Sequence, residues 1–285
     1  MGRVDAHAEI IRAAPAQDAL LLCNCSMIKV AQAQNRSPEL PWIAQGQALP
    51  PPVFAWGASS PAPGLLAASG DLSSERLMEA YSQGIFPWFS NGQPVLWWSP
   101  DPRMVLMTQQ FRLHRSLRKS LHRWSLTPGF ELCFDRDFAQ VIRRCASSSR
   151  NGQNDTWILP QMVEAYEDLH RSGFAHSSEV WVQGQLVAGL YFVSLGRAIF
   201  GESMFTTITD GSKMALASLV SVCLQHGIHT IDCQQNTGHM ASLGAREMPR
   251  REFLLDMAQA LGAPGLDWPE QSLNWPALQS LAGFE

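Results

Sequence analysis

No paired-cysteine spacing occurs in this chain of 285 residues. Its six cysteines (Cys23, Cys25, Cys133, Cys145, Cys223, Cys233) are scattered, with no CxxC and no histidines at metal-ligand spacing. That speaks against structural zinc and a disulfide framework and fits a reducing cytosol. No apolar run is long enough to span a bilayer, and Leu20 to Cys23 is too short for a signal peptide. The first residues lack the Ser or Thr of a myristoylation signal, so the reading is a soluble, cytoplasmic protein. There is no GxxxxGK[ST] loop, since Gly211-Ser212-Lys213 lacks the upstream glycine; GxGxxG after a strand, GxSxG and HExxH are missing too. ATP hydrolysis, dinucleotide chemistry, a serine-hydrolase elbow and a zinc protease all lose their usual devices. A formal charge of −4 excludes a uniformly basic surface but leaves room for a local basic patch.

What is present divides along the chain. Residues 1–50 are rich in Ala, Gln and Pro and end in Pro50-Pro51-Pro52, which reads as a poorly ordered arm. Residues 51–101 hold a helix that Asp71 or Ser73 can cap and Gly84 can stop. Dense Pro and Trp follow, the composition of a small lobe ending near Pro100 and Pro102. Residues 102–265 read as a larger domain. It starts with a short strand from Arg103 to Met107 and a helix from His114 to Arg123. In that helix Leu113, Leu117 and Leu121 form one stripe and Arg115, Arg118, Lys119 and Arg123 lie opposite. Helices from about Asp135 and from Pro160 come next, then strands Ala175 to Val182, Gln185 to Val193 and Arg197 to Phe205 joined by Gly-containing turns. A helix from Ser212, a strand from His229 to Asp232 and a helix from Arg250 to Leu261 complete it; residues 266–285 are a tail. Helices, an antiparallel meander, a helix, a strand and a helix make an α+β domain.

Two polar clusters sit at strand ends: Gly201-Glu202-Ser203-Met204-Phe205 and Ile231-Asp232-Cys233-Gln234. A Glu inside an apolar run needs a partner or a task, and two such clusters read as one site. His176 and His239 have no spaced partner and read as structural. With no nucleotide loop, the substrate must arrive activated. From Arg103 onward the order of elements resembles the acyl-CoA N-acyltransferases, a GNAT-like fold. However, Thr209-Asp210-Gly211-Ser212-Lys213 is a poor version of their pyrophosphate turn. A basic helix in an acidic chain points to a phosphate backbone, and Trp88, Trp97, Trp98 and Trp157 can stack on a terminal base.

The motif series resembles the leucyl/phenylalanyl-tRNA–protein transferases from about Gly64 to Leu261. It runs through Gly64-Leu65-Leu66-Ala67, Gly84-Ile85-Phe86-Pro87-Trp88-Phe89-Ser90, Leu96-Trp97-Trp98-Ser99-Pro100-Asp101-Pro102-Arg103 and Thr156-Trp157-Ile158. It continues with His176-Ser177-Ser178-Glu179-Val180-Trp181 and the two clusters above, then His239 and Ser242-Leu243-Gly244-Ala245. The resemblance implies a small N-terminal lobe on an acyltransferase-like domain. The implied reaction moves Leu or Phe, and to some extent Met, from aminoacyl-tRNA to the amine of an N-terminal Arg or Lys, marking that protein for degradation. The ester is already activated, so no ATP, cofactor, metal or enzyme nucleophile is implied.

By the same resemblance, Trp88 and Trp157 hold the terminal adenine, and Tyr81 and Tyr166 bind the donor end and the acceptor. Leu190, Ile199 and Met204 form the side-chain pocket with Glu202 beside it. Asp232 and Gln234 orient the acceptor amine and take or relay its proton, and Arg115, Arg118, Lys119 and Arg123 bind tRNA. Phe192 after Tyr191, where a Gly is common, is expected to narrow the pocket floor. An acyl-CoA-dependent N-acyltransferase and a non-catalytic tRNA-binding protein are the competing readings.

Overall fold

Two sheets carry the chain, and the site forms between them. The computed structural model describes residues 39–148 and 158–281, and from Leu40 onward the chain clusters as one compact unit. The first sheet contains β1 (Trp42–Ile43), β2 (Leu65–Ser69), β3 (Phe86–Pro87) and β4 (Val95–Trp98) in the order β1-β2-β4-β3. Helix α1 (Ser74–Ser82) begins at Ser73, whose side chain accepts from the Arg76 amide and so satisfies one of the orphan donors of the first turn. It buries Leu77, Ala80 and Tyr81. Gly84, at φ +70°, turns the chain out of α1; an added Cβ there would lie 2.6 Å from a methyl of Leu254, so only glycine fits the seam.

The arm expected over residues 1–50 needs correction at its end. Trp42–Ile43 pairs in parallel with β2, Ile43 and Leu49 are buried, and the Leu49 amide donates to Glu79. Two buried residues among the eleven from 39 to 49 are too few to show periodicity, yet each fills a slot in the core. The rest of the arm lies outside the described residues.

The second sheet runs β11-β5-β10-β9-β8-β7-β6. Its members are β5 (Arg103–Met107), β6 (Phe130–Phe134), β7 (Ala175–Val182), β8 (Gln185–Leu195), β9 (Ala198–Thr206), β10 (Thr230–Gln234) and β11 (Arg246–Met248). The expected meander is present as β7, β8 and β9. β6 and β11, not foreseen from the sequence, extend the sheet at its two edges, where short and partly exposed strands show little alternation. Among the described residues β10 on β9 is the parallel pair of this sheet; the other pairings are antiparallel.

Helices lie on both faces. On one are α3 (Phe138–Ser147) and α4 (Pro160–Arg171), packed against Tyr191, Val193 and Phe200. On the other are α2 (Arg115–Ser125) and α5 (Gly211–Gln225), packed against Leu190, Phe192 and Ile199. Alternate residues of β8 thus serve opposite cores, as the pleat requires. Short α6 (Gly238–Ser242), α7 (Arg250–Leu261) and α8 (Trp275–Ser280) close the chain. The expected tail is packed too: Trp268 and Leu278 are buried. The architecture is α+β: a seven-stranded mixed sheet with helices on both faces, beside a smaller four-stranded sheet.

Candidate active site

The parallel pair β9/β10 stays in register only at Ile231 with Ile199 and Asp232 with Phe200. β10 then bulges between Asp232 and Gln234, with Gln234 in the left-handed region at φ 61°. Beyond that point the strands part. A pocket of 940 Å³ fills the opening, between Trp88 of the small lobe and Leu190, Met204, Leu216 and Met240 of the larger domain. Its walls are mostly apolar, and Glu202 and Gln234 are set into them.

Glu202 gathers donors from three separate elements. The Tyr81 hydroxyl on α1 donates to its Oε1 at 2.6 Å. The Tyr166 hydroxyl on α4 donates to Oε2 at 3.2 Å. The Gln234 side-chain amide donates to Oε1 at 2.7 Å. The two tyrosine hydroxyls also meet each other at 2.5 Å. Burial pushes the Glu202 carboxyl up, the Tyr81 hydrogen bond opposes it, and the charge of Asp232 pushes it further, to about 7. Burial, then the charge of Glu202, holds the Tyr81 and Tyr166 hydroxyls well above the usual phenol range. The carboxyl is therefore the group of this network that exchanges a proton near neutral pH.

Asp232 occupies a different position from the one expected. Its Oδ1 accepts from Arg103 Nε at 2.8 Å and its Oδ2 from the Arg103 guanidinium at 2.6 Å. Oδ1 also takes the Gln234 backbone amide at 2.9 Å. Arg103 is fully buried, and its guanidinium carbon lies 4.7 Å from the Phe86 ring centroid and 4.8 Å from that of Phe253. The carboxylate is thus committed on both oxygens and stands outside the pocket lining. Its physical work is to fix the bulge and so the direction of Gln234.

Residues 105–258 match the family model described as leucyl/phenylalanyl-tRNA protein transferase, and residues 70–101 match that of its N-terminal domain. A protein of the same description from Polaromonas sp. is 57% identical over 83% of this chain and 92% of its own length. One from Albidiferax ferrireducens is 54% identical over 86% of this chain and 96% of its own. The chain belongs to the leucyl/phenylalanyl-tRNA protein transferase family. A solved GCN5-related N-acetyltransferase-like protein from Streptococcus suis, 18% identical, covers 64% of this chain and 67% of its own at a TM-score of 0.30, too slight a likeness to bear on function.

Among the transferase residues anticipated from sequence, Trp88, Leu190, Met204, Glu202 and Gln234 line the pocket together. Tyr81 and Tyr166 stand behind its wall, fully buried. Trp88 is 40% exposed, with its ring 5.5 Å from that of Trp98, whose indole N–H donates to the Trp88 carbonyl. Trp157 lies outside the described residues. Ile199 is buried in the core under the pocket and is not part of the lining.

Phe192 does not narrow the floor: it is not part of the pocket lining and packs edge-on against Trp268 at 4.7 Å. Arg103, Cys233, Ser212 and His239 were missed as site components. His239, read as structural, lines the pocket, and partial burial followed by the charge of Lys213 lowers its imidazole below the usual range. The motif around His239 was the available signal, but only the return of α6 over β10 puts that residue at the pocket.

Proposed function

We propose that this transferase moves leucine or phenylalanine, and to some extent methionine, from the 3′ end of aminoacyl-tRNA to the α-amine of a protein beginning with Arg or Lys. The product is a protein marked for degradation, in the cytoplasm where charged tRNA is held. The observation that carries the reading is Glu202: a carboxyl held by Tyr81, Tyr166 and Gln234 at the edge of an apolar pocket large enough for such a side chain, where burial pushes it up to about 7. The neighbouring residues take roles around it. Trp88, with Trp157, stacks on the terminal adenine. Leu190 and Met204 receive the side chain, with Ile199 behind them, and Tyr81 and Tyr166 hold Glu202.

In the proposed step the neutral amine nitrogen attacks the ester carbonyl carbon, the new C–N bond forms, and the bond to the ribose 3′ oxygen breaks. Glu202 takes the amine proton and returns it to that oxygen, so tRNA leaves with its hydroxyl restored. Gln234 orients the amine. Asp232 supports Gln234 rather than meeting the proton itself. Positioning and one proton transfer are the tasks left to the protein.

An acyl-CoA donor fits less well. Asp210 occupies the N-cap of α5 in the left-handed region at φ 62°, and its carboxylate is held by Lys213 at 2.9 Å and Ser120 at 2.8 Å. A fixed negative charge stands where a pyrophosphate would bind.

The reading is tested with Leu-tRNA and peptides beginning with Arg, Lys or Ala, weighing the products. Conjugates are expected for Arg and Lys and little for Ala, without ATP. Equal transfer to all three would end the acceptor assignment; bound tRNA with no conjugate would favour a binding protein, and labelled acetyl-CoA consumption the other enzyme class.

The tRNA body is assigned to α2. Leu117 and Leu121 are buried as the stripe required, and Arg115, Lys119 and Arg123 are exposed while Arg118 is half-buried. Arg115, Arg118 and Lys119, but not Arg123, line a groove of 760 Å³ that also includes His122 and Trp275. Each phosphate contact releases counterion, so affinity falls with salt at a log–log slope of roughly 0.7–0.9 per contact. Replacing Arg115 and Lys119 by Ala should flatten that slope by about one to two units. Transfer from a minimal aminoacyl-adenosine should be unaltered. An unchanged slope would return α2 to an ordinary solvated face.

A further inference from the structure

The sequence offers no metal-ligand spacing, but the fold assembles one. Asp135, in the turn between β6 and α3, His170, in the last turn of α4, and His176, second residue of β7, bring one donor atom each to within 4.8 Å of one another. We infer that Asp135, His170 and His176 form a binding site for a divalent transition-metal ion of the zinc class, structural in role and separate from the transfer pocket.

The hydrogen bonds set both imidazoles for this. His170 Nδ1 lies 2.7 Å from the Ala175 carbonyl, which can only accept, so Nδ1 carries the proton and Nε2 carries the lone pair. His176 Nε2 lies 3.2 Å from the Gly173 carbonyl, while its Nδ1 faces Asp135 Oδ2 at 2.6 Å. With Nε2 protonated, Nδ1 of a neutral ring would point its lone pair at a carboxylate oxygen. At 2.6 Å the contact is direct and favourable only with a proton on Nδ1; a bound ion would take that proton's place as the two groups open around it. Ligating histidines characteristically donate their other N–H to a backbone carbonyl, as both do here. Asp135 is oriented as well, its Oδ1 accepting from the Ser177 amide at 2.7 Å.

The surroundings suit a closed site. The Asp135 side chain is 4% exposed and that of His176 9%. The Phe138 ring stacks on His170 at 4.3 Å and 5°, and Trp268 lies 5.8 Å from His176. Zinc with imidazole and carboxylate donors takes distances of about 2.0–2.2 Å in a tetrahedron. Ligands at that distance stand about 3.3 Å apart, so Asp135 Oδ2 and His176 Nδ1 open from 2.6 Å while wider separations, up to 4.8 Å, close, and water supplies the fourth position. Two nitrogens and one oxygen select a borderline ion over calcium or magnesium.

Such an ion would tie the last turn of α4 to β7 and the β6–α3 turn. Tyr166, which holds Glu202, is on α4 one turn before His170, on the same face. The ion thus acts on the transfer pocket only by fixing the position of Tyr166, a consequence that rests on the function proposed above; the binding test does not.

The test is a titration of the chelator-treated full chain with Co²⁺, followed by visible absorption, and with Zn²⁺, followed by the thermal midpoint. One Co²⁺ per chain is expected, with the intense visible bands of a four-coordinate site and no thiolate charge-transfer band. Zn²⁺ should raise the midpoint. His170→Gln, at the half-buried ligand where folding is least at risk, should weaken binding by about 100-fold and erase the rise, as should Asp135→Asn. No binding at micromolar metal, binding with thiolate bands, or binding unchanged in His170→Gln would each overturn the site and leave His176 and Asp135 as an ion pair.

Discussion

Asp232→Asn should lower folding stability by about 3–5 kcal/mol, because it removes one partner of a buried ion pair and leaves the other charged. Arg103 is fully buried, pinned between Phe86 and Phe253, and its two contacts with Asp232 neutralise it. An asparagine offers one acceptor oxygen and no charge. The cost of leaving a guanidinium in that setting exceeds the loss of two hydrogen bonds. Replacing both partners by apolar residues, Asp232→Leu with Arg103→Met, removes the stranded charge and should recover a large part of the loss. Denaturant midpoints measure all three. An Asp232→Asn protein of native stability but about 100-fold slower in transfer would put the carboxylate back in the chemistry.

Glu202→Gln should fold and should lose turnover by about 100-fold or more with little change in peptide KM. The Tyr81 and Tyr166 hydroxyls can accept as well as donate, so a side-chain amide can be received where the carboxylate was. The pH profile separates this role from a merely structural one. Glu202 is ionised above about 7, so wild-type turnover should rise with pH through that value and level off above it. The acceptor amine contributes its own rising limb near 8, and the variant should keep only that limb.

Stability carries the opposite sign. A carboxyl raised in the folded state contributes fully below its ordinary value, near 4.5, and that contribution is lost as pH rises through about 7. Glu202→Gln should therefore flatten the fall in stability over that interval. A variant with wild-type turnover, or a wild-type profile without the limb at about 7, would remove Glu202 from the proton path.

The sequence by itself determined those features that one face of one element can record. Leucines at helical spacing placed Leu117 and Leu121 inward on α2 and the cations outward, because burial on one side is a local, periodic demand. Turn glycines and alternating apolar residues marked β7, β8 and β9, and the motif series assigned the family. Strands β6 and β11 escaped because edge strands are short and half-exposed, and β1 because two residues carry no period. Partners were beyond reach for the same reason that periodicity is informative: it reports which side is buried, not what lies against it. Arg103 meets Asp232 across 129 positions, Tyr81 meets Glu202 across 121, and Asp135 meets His176 across 41. Each pairing exists only because the sheet order and the seam with the small lobe close those separations. Whether an acid in this chain moves a proton, holds a strand bulge or faces a histidine was therefore decided by tertiary structure, where burial and the neighbouring charge set its energy.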